Sequence, residues 1–107
     1  DVEHFIFTEI VAHASYSEAN YDINFWRTRS GSEVDFVLGG GEVAVEVKGA
    51  SRVDSRALRP LRSFTDEYRP KKAIVVCNEA QMRVVGEISI MPWRTFLQEL
   101  WAGRVIA

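Results

Sequence analysis

Two carboxylates and a lysine on two adjacent predicted strands are the residues of this chain best suited to chemistry. Asp35 lies on the first of these strands, and Glu46 and Lys48 alternate with valines on the second. Because side chains of a strand point alternately to its two faces, Glu46 and Lys48 share one face. Carboxylate oxygens, together with a backbone carbonyl such as that of Val47, suit Mg²⁺ or Mn²⁺. A lysine beside the metal can hold a phosphate oxygen or an attacking water.

The turn between the two strands decides whether these groups meet. Gly39-Gly40-Gly41 is a strong hairpin signal. A two-residue turn places Asp35 opposite Glu46, whereas a three-residue turn pairs Asp35 with Val45 and inverts the face of Glu46. A shared site therefore requires an even loop or a bulge. Opposed carboxylates repel, so a bound cation would compensate them, and the alternative is an ordinary solvated strand of mixed charge.

The elements that would carry these residues follow from periodicity and turn signals. The predicted order is a helix, three antiparallel strands, a second helix and a strand parallel to the third, followed by one more strand and a helix. The expected fold is a mixed α/β sheet flanked by helices. Pro60 falls in the first turn of the second helix, after a short turn. The first predicted helix covers 2 to about 16, the second has Pro60 in its first turn and reaches Tyr68, and the last runs from Pro92 to Gly103. The predicted strands are 22–28, 33–38, 42–48, 72–77 and 83–90.

The first helix offers a further carboxylate. Its spacing predicts that Val2, Ile6 and Ile10 face the core. Glu3 and Glu9 flank that buried face on opposite sides, so either can approach a site on the sheet, but not both.

Basic residues flank the predicted site along the chain. They are candidates for contacts to a nucleic-acid backbone, although solvated surface arginines are the ordinary alternative. A net charge of −2 argues against a protein whose whole surface binds nucleic acid, so only a local patch is expected. The candidate arginines are Arg27, Arg29, Arg52, Arg56 and Arg59.

Composition describes an ordinary soluble domain. The 107 residues fit one domain spanning 1–107, with 47% hydrophobic and 26% charged residues and no apolar run of membrane-spanning length. The single cysteine, Cys77, lies in an apolar strand, which favours a buried thiol in a reducing cytoplasm. The chain begins at Asp1 inside a predicted helix, so we expect it to be part of a longer polypeptide.

The order of the elements and the acids on the second and third strands resemble the PD-(D/E)XK superfamily, the restriction-endonuclease-like α-β-β-β-α-β core also found in Holliday-junction resolvases. The resemblance assigns the metal-binding aspartate to Asp35, the second acid to Glu46 and the lysine to Lys48. Val34 replaces the proline that usually precedes the aspartate. The superfamily often adds a glutamate from the first helix, and Glu3 matches that position better than Glu9.

A narrower resemblance covers nearly the whole chain. Segments 3–10, 25–37, 46–48 and 92–93 look like the C-terminal domain of unknown function carried by a family of prokaryotic AAA+ ATPases. This resemblance implies an ATPase portion in the parent chain. The fragment itself lacks a phosphate-binding loop, because no lysine and serine or threonine follow the three glycines, so no ATP site is expected here.

Three functions follow as expectations. The first is a Mg²⁺- or Mn²⁺-dependent nuclease domain that acts on DNA, with Asp35, Glu46, Lys48 and Glu3 in the site. The second is a catalytically inactive module that binds nucleic acid or a partner protein on behalf of the ATPase. The third is a structural interaction domain that presents the helix from Trp93 to Trp101 to a motor domain. No membrane partner is expected.

Overall fold

The computed structural model describes residues 1–18 and 20–107. It contains three α-helices and six strands in this part of the chain, with a short 3₁₀ turn at Arg56–Leu58. The helices are α1 (Val2–Tyr16), α2 (Arg59–Tyr68) and α3 (Trp93–Trp101). The strands are β1 (Ile23–Arg27), β2 (Glu33–Leu38), β3 (Val43–Val47), β4 (Lys72–Cys77), β5 (Arg83–Val85) and β6 (Ile88–Pro92).

The strands form one mixed sheet in the order β1-β2-β3-β4-β6-β5. β1, β2 and β3 are antiparallel neighbours, β4 lies parallel to both β3 and β6, and β5 is antiparallel to β6. The expected mixed α/β fold is confirmed, including the parallel crossover through α2. One expected element is wrong: the single strand predicted over 83–90 is a hairpin. Gly86 turns the chain there with a φ of +60°, so β5 and β6 form two strands.

Two apolar layers cover the two faces of the sheet. α1 and α3 pack on one face, where Ile6, Ile10 and Phe96 are fully buried, and α2 packs on the other through residues such as Leu61. The prediction that Val2 faces the core is wrong, because this residue lies in the first turn of α1 and is 39% exposed. The buried stripe of α1 runs instead from Ile6 and Ile10 to His13 and Ala14.

The start of α2 follows from its proline. Pro60 is the second residue of the helix, where its missing N–H costs no intrahelical hydrogen bond. The preceding 3₁₀ turn is held by the Asp54 carboxylate, which accepts a hydrogen bond from the Ala57 N–H at 3.0 Å. The 3₁₀ turn and α2 together form the connection between β3 and β4, which lie parallel.

None of the helices in residues 1–18 and 20–107 is both long and apolar enough to cross a membrane.

Candidate metal and phosphodiester site

The pairing of β2 with β3 has the register that brings the two acids together. Phe36 lies opposite Val45 and Leu38 opposite Val43, so continuing the register places Asp35 opposite Glu46. The loop has an even number of residues, as a shared site requires, but it is longer than the two-residue turn that we considered. Residues 39–42 form a four-residue loop in which the Glu42 N–H donates to the Leu38 carbonyl at 3.0 Å. All three glycines have positive φ, which glycine adopts without steric cost.

The two strands part at the acids. The β2–β3 register ends at Phe36 and Val45, while β2 continues beside β1 and β3 continues beside β4. The carboxylates link the strands in place of backbone bonds. The Asp35 N–H donates to Glu46 Oε1 at 3.0 Å, and the Val47 N–H donates to Asp35 Oδ2 at 2.7 Å. Asp35 and Glu46 therefore fill a split in the sheet.

A β-bulge on β2 sets the position of Asp35. Two residues, Asp35 and Phe36, lie opposite the single residue Phe25 of β1. Bulges bend a strand and redirect its side chains, and they often occur beside functional sites. Here Phe36 stacks on Phe7 of α1, with ring centroids 5.6 Å apart. The flanking pairs are Asn24 with Val37 and Trp26 with Val34.

The bulge brings Asp35 next to the first helix, where Glu3 lies. Glu3 and Asp35 are within hydrogen-bonding reach of each other, and both line one cleft. The pKa of Asp35 is raised to about 6, first by burial and then by its contact with Glu46. The contact with Asp35 is also the main cause of a raised pKa at Glu3, followed by burial. Ionisation of both Asp35 and Glu3 is thus unfavourable at this place.

Lys48 is the cation beside this cluster. Its Nζ lies 3.6 Å from Glu46 Oε2, and its side chain is 38% exposed, whereas that of Glu46 is 4% exposed. Lys48 therefore reaches from the buried acid toward solvent.

The donor set fits a hard divalent cation in its chemistry. Asp35 has a carboxylate neighbour on each side, Glu46 and Glu3, and adjacent carboxylates are oxygen ligands of the kind that a divalent cation prefers. In the arrangement that residues 1–18 and 20–107 adopt, no group of three or more His, Cys, Asp and Glu side chains is placed to hold a metal ion. Asp35 Oδ2 and Glu46 Oε1 each accept a backbone N–H in this arrangement. Val47 lies between Glu46 and Lys48, and its N–H is already bonded to Asp35.

The other first-helix acid lies elsewhere. Glu9 accepts a hydrogen bond from the Trp101 indole N–H at 3.1 Å, so it joins α1 to α3. Only Glu3, of these two glutamates, lies at the cluster.

The candidate arginines divide between two regions. Arg27 lines the cleft beside Asp35 and pairs with Glu33 at 3.0 Å, and Arg29 is exposed in the turn that follows β1. Arg52 lies 3.9 Å from the buried Glu79, and Arg56 and Arg59 are exposed where the 3₁₀ turn passes into α2.

Glu79 was not singled out by the sequence, yet it organises the loop after β3. Its carboxylate accepts hydrogen bonds from the Val53 N–H at 2.7 Å and from Arg83 Nε at 2.8 Å, and Arg83 also donates to the Val53 carbonyl. These contacts lower the pKa of Glu79 to about 2, with the Arg83 hydrogen bond as the largest cause. The role is structural, because every group in this network is satisfied within the fold.

Phe25 is the site residue that sequence reasoning missed. It is 73% exposed, lies opposite the bulge and lines the cleft of about 350 Å³ that contains Glu3 and Asp35. The only signal in the sequence was an aromatic pair, Phe25-Trp26, which equally predicts a buried strand. Its exposure depends on the bulge.

Comparison with known proteins identifies the family but not an activity. No curated protein and no solved structure matches the chain significantly. A family model, described as a domain of unknown function (DUF4143), matches residues 2–96. The match spans the acids, the bulge, α2 and the start of α3, so the chain belongs to the DUF4143 family of domains.

Proposed function

We propose that this domain is a metal-dependent phosphodiesterase of the PD-(D/E)XK type that acts on DNA. The observation that carries the proposal is the split between β2 and β3, filled by Asp35 and Glu46, with Lys48 at its mouth and Glu3 reaching in from α1. Carboxylates that face each other across a ladder repel, and a bound cation would compensate them. A divalent cation and a phosphate explain all four side chains together.

Each residue has a role in this proposal. Asp35, Glu46 and Glu3 hold Mg²⁺ or Mn²⁺, with the Val47 carbonyl as a further oxygen ligand. The ion, when bound, supplies a water that is nucleophilic near neutral pH and neutralises charge on the phosphate. Lys48 holds the attacking water or a phosphate oxygen through its ammonium group. Arg27 and Arg29 on one side, and Arg52, Arg56 and Arg59 on the other, attract the DNA backbone.

The test is cleavage of labelled single-stranded, double-stranded and branched DNA by the purified protein in Mg²⁺ or Mn²⁺, with EDTA as the blank. Asp35→Asn and Lys48→Met should each lower the rate at least about 100-fold, as expected for loss of a metal ligand or a charge-stabilising group. Glu3→Gln should lower it less, because Glu3 is the most exposed of the three acids.

Matched controls separate the site from the surface. Glu9→Gln changes the same residue type on the same helix, away from the cluster, and Asp66→Asn changes an exposed aspartate of α2. Both should cleave like the parent protein. Cleavage that persists in Asp35→Asn and Lys48→Met would show that a different site, or a contaminant, performs the reaction.

A second candidate function is a catalytically inactive module that binds nucleic acid or a partner protein. The hydrogen bonds of Asp35 and Glu46 favour it, because each carboxylate accepts a backbone N–H and so has a partner in the fold without a metal. This function predicts no cleavage and no stabilisation by Mg²⁺, while Arg56→Gln and Arg59→Gln still weaken binding to DNA. In either case we propose that the domain works in the cytoplasm, in the same polypeptide as an AAA+ ATPase.

A further inference from the structure

β1 forms an open edge of the sheet. Within residues 1–18 and 20–107, β2 is the only strand that pairs with it. The Asp22 carbonyl accepts the Gly39 N–H, and the Thr28 N–H donates to the Ser32 carbonyl, so these groups at both ends of β1 point toward β2. Alternate residues of an antiparallel strand direct their backbone groups to opposite sides. The residues whose N–H and C=O groups point outward are therefore Ile23, Phe25 and Arg27.

This edge lacks the features that usually protect an exposed strand. Edge strands avoid pairing through proline, through charged side chains along their length, or by being very short. β1 has five residues, no proline and one charged residue, Arg27, at its end. Its midpoint, Phe25, is 73% exposed. The helices leave the outer side open, because α1 packs mainly over β3, α3 over β4 and β6, and α2 over β2. An exposed ring beside outward backbone groups indicates a surface that pairs with another strand.

The opposite edge of the sheet is protected. β5 has only three residues, Arg83–Val85, and therefore offers few backbone groups to a partner. The Arg83 guanidinium at its start is held by the Glu79 carboxylate and the Val53 carbonyl. The sheet thus has one edge that is suited to pairing. A molecule with one such edge forms a closed pair with a copy of itself rather than an open chain of copies.

The residues along β1 suit pairing with themselves. Two copies related by a twofold axis pair antiparallel, and full overlap of Ile23–Arg27 puts the axis at the midpoint, Phe25. In this register the exposed Asp22 of each copy lies opposite Thr28 of the other, next to the exposed Arg29 that follows it. The acidic start of each strand therefore meets the basic end of the other. Parallel pairing would instead align like charges.

We infer that β1 is a dimerisation edge, which pairs antiparallel with β1 of a second copy of this chain and places Phe25 on the twofold axis. The pairing adds up to about six backbone hydrogen bonds, because three pairs of outward residues can each exchange two. The two Phe25 side chains meet on the face that α1 covers, where Ile23 also packs. The two six-stranded sheets become one continuous sheet. This inference does not depend on hydrolysis at Asp35.

Association is measured by sedimentation velocity of the purified protein over about a hundredfold range of concentration. Phe25→Asp and Phe25→Lys each place like charges opposite one another across the axis. Each variant alone should therefore dimerise at least about tenfold more weakly than the parent protein. A mixture of the two variants should dimerise again, because opposite charges then meet. Only a register that places residue 25 opposite itself predicts this recovery.

Controls match the charge changes at the other edge. Val84 on β5 is also apolar and 63% exposed, so Val84→Asp and Val84→Lys repeat the substitutions away from β1. Both should dimerise like the parent protein. Asp35→Asn should do so as well, whether or not the parent protein cleaves DNA. Circular dichroism of each variant checks that the fold is retained.

Each outcome decides for or against the dimerisation edge. Dimers that are lost in each Phe25 variant and recovered in their mixture support it. A parent protein that stays monomeric over the whole range overturns it and leaves β1 to a different partner. A dimer that survives both Phe25 variants, or that the Val84 variants lose, overturns it by placing the contact elsewhere. Loss in each Phe25 variant without recovery in the mixture overturns the placement of Phe25 on the axis.

Discussion

Asp35 occupies a position that is unfavourable for a charged carboxylate. Its carboxyl is partly buried and lies against Glu46, and together these raise its pKa to about 6. The hydrogen bonds with the Val47 N–H and with Glu3 act in the opposite direction but do not outweigh these causes. Near neutral pH the folded domain therefore holds a negative charge that the unfolded chain accommodates more easily.

Asp35→Asn should stabilise the metal-free protein at pH 7. The amide keeps an acceptor for the Val47 N–H, supplies a donor to Glu46 and removes the charge. We expect a gain of about 1 kcal/mol in the free energy of unfolding, well below the full pKa effect because solvent screens a partly exposed group. Urea denaturation at pH 7 measures it, with Asp66→Asn as the exposed control. A loss of stability in Asp35→Asn would contradict this account.

The same substitution has a defined dependence on pH. Because the folded-state pKa of Asp35 is raised above its usual 3.8, the folded protein binds this proton more tightly, and wild-type stability falls as the pH rises from about 4 through 6. The advantage of Asp35→Asn should therefore grow over that interval and vanish below it. Mg²⁺ should stabilise the wild type and leave Asp35→Asn unaffected.

At the scale of elements, the loop between β2 and β3 and the bulge on β2 together place the acids. The loop fixes which residues face each other, and the bulge turns Asp35 toward α1. Gly39 is the tightest point of the loop. It has a φ of +68°, and an added Cβ would lie 2.8 Å from Ile106 Cδ1 of the buried C-terminal segment.

Gly39→Ala should be more destabilising than Gly40→Ala. Both glycines have nearly the same φ, so both substitutions incur the left-handed backbone cost of about 1 kcal/mol. Only position 39 adds the contact with Ile106, which should cost roughly a further 1 kcal/mol. Chemical denaturation of the two variants measures the difference. Equal losses would mean that the Ile106 side chain moves aside freely.

At the scale of the whole molecule, Glu79 and Arg83 join segments that are distant along the chain. They link the loop after β3, through Val53, to the hairpin of β5 and β6 at the other edge of the sheet. The carboxylate is buried, so its stability depends on the arginine. Breaking such a pair from one side leaves an uncompensated charge.

Arg83→Met should lower the Tm by roughly 5–10 °C at pH 7, whereas Arg62→Met on the exposed face of α2 should change it little. The pH dependence follows from the depressed pKa of Glu79, about 2 against 4.5. The stabilisation is complete above pH 4.5 and is lost as the pH falls from there toward 2. Thermal melts across this interval should show that the Tm falls more steeply with decreasing pH in the wild type than in Arg83→Met. If the Tm falls equally with pH in both proteins, groups other than Glu79 cause the loss of stability in acid.

The sequence by itself determined the fold class and the identity of the four groups at the proposed site. Period-two and helical patterns are local, so the order of the elements as far as β4, the parallel crossover and the position of Pro60 in the first turn of α2 were predictable, whereas the hairpin of β5 and β6 was not. From the sequence alone we could say only that the two acids share a face if the glycine loop has an even number of residues. The two alternatives differ by one residue in pairing, and that choice depends on burial of β2 and β3 against both helical layers.

The tertiary structure alone decided how the acids are held. β2 pairs with both β1 and β3, and its bulge lies where the β2–β3 register ends, which no local sequence pattern encodes. Asp35 contacts there a residue of α1, Glu3, that is distant along the chain. The burial of Glu79 likewise depends on an arginine and a loop that meet only in the folded chain. Residue types came from the sequence, and their mutual distances came from long-range packing.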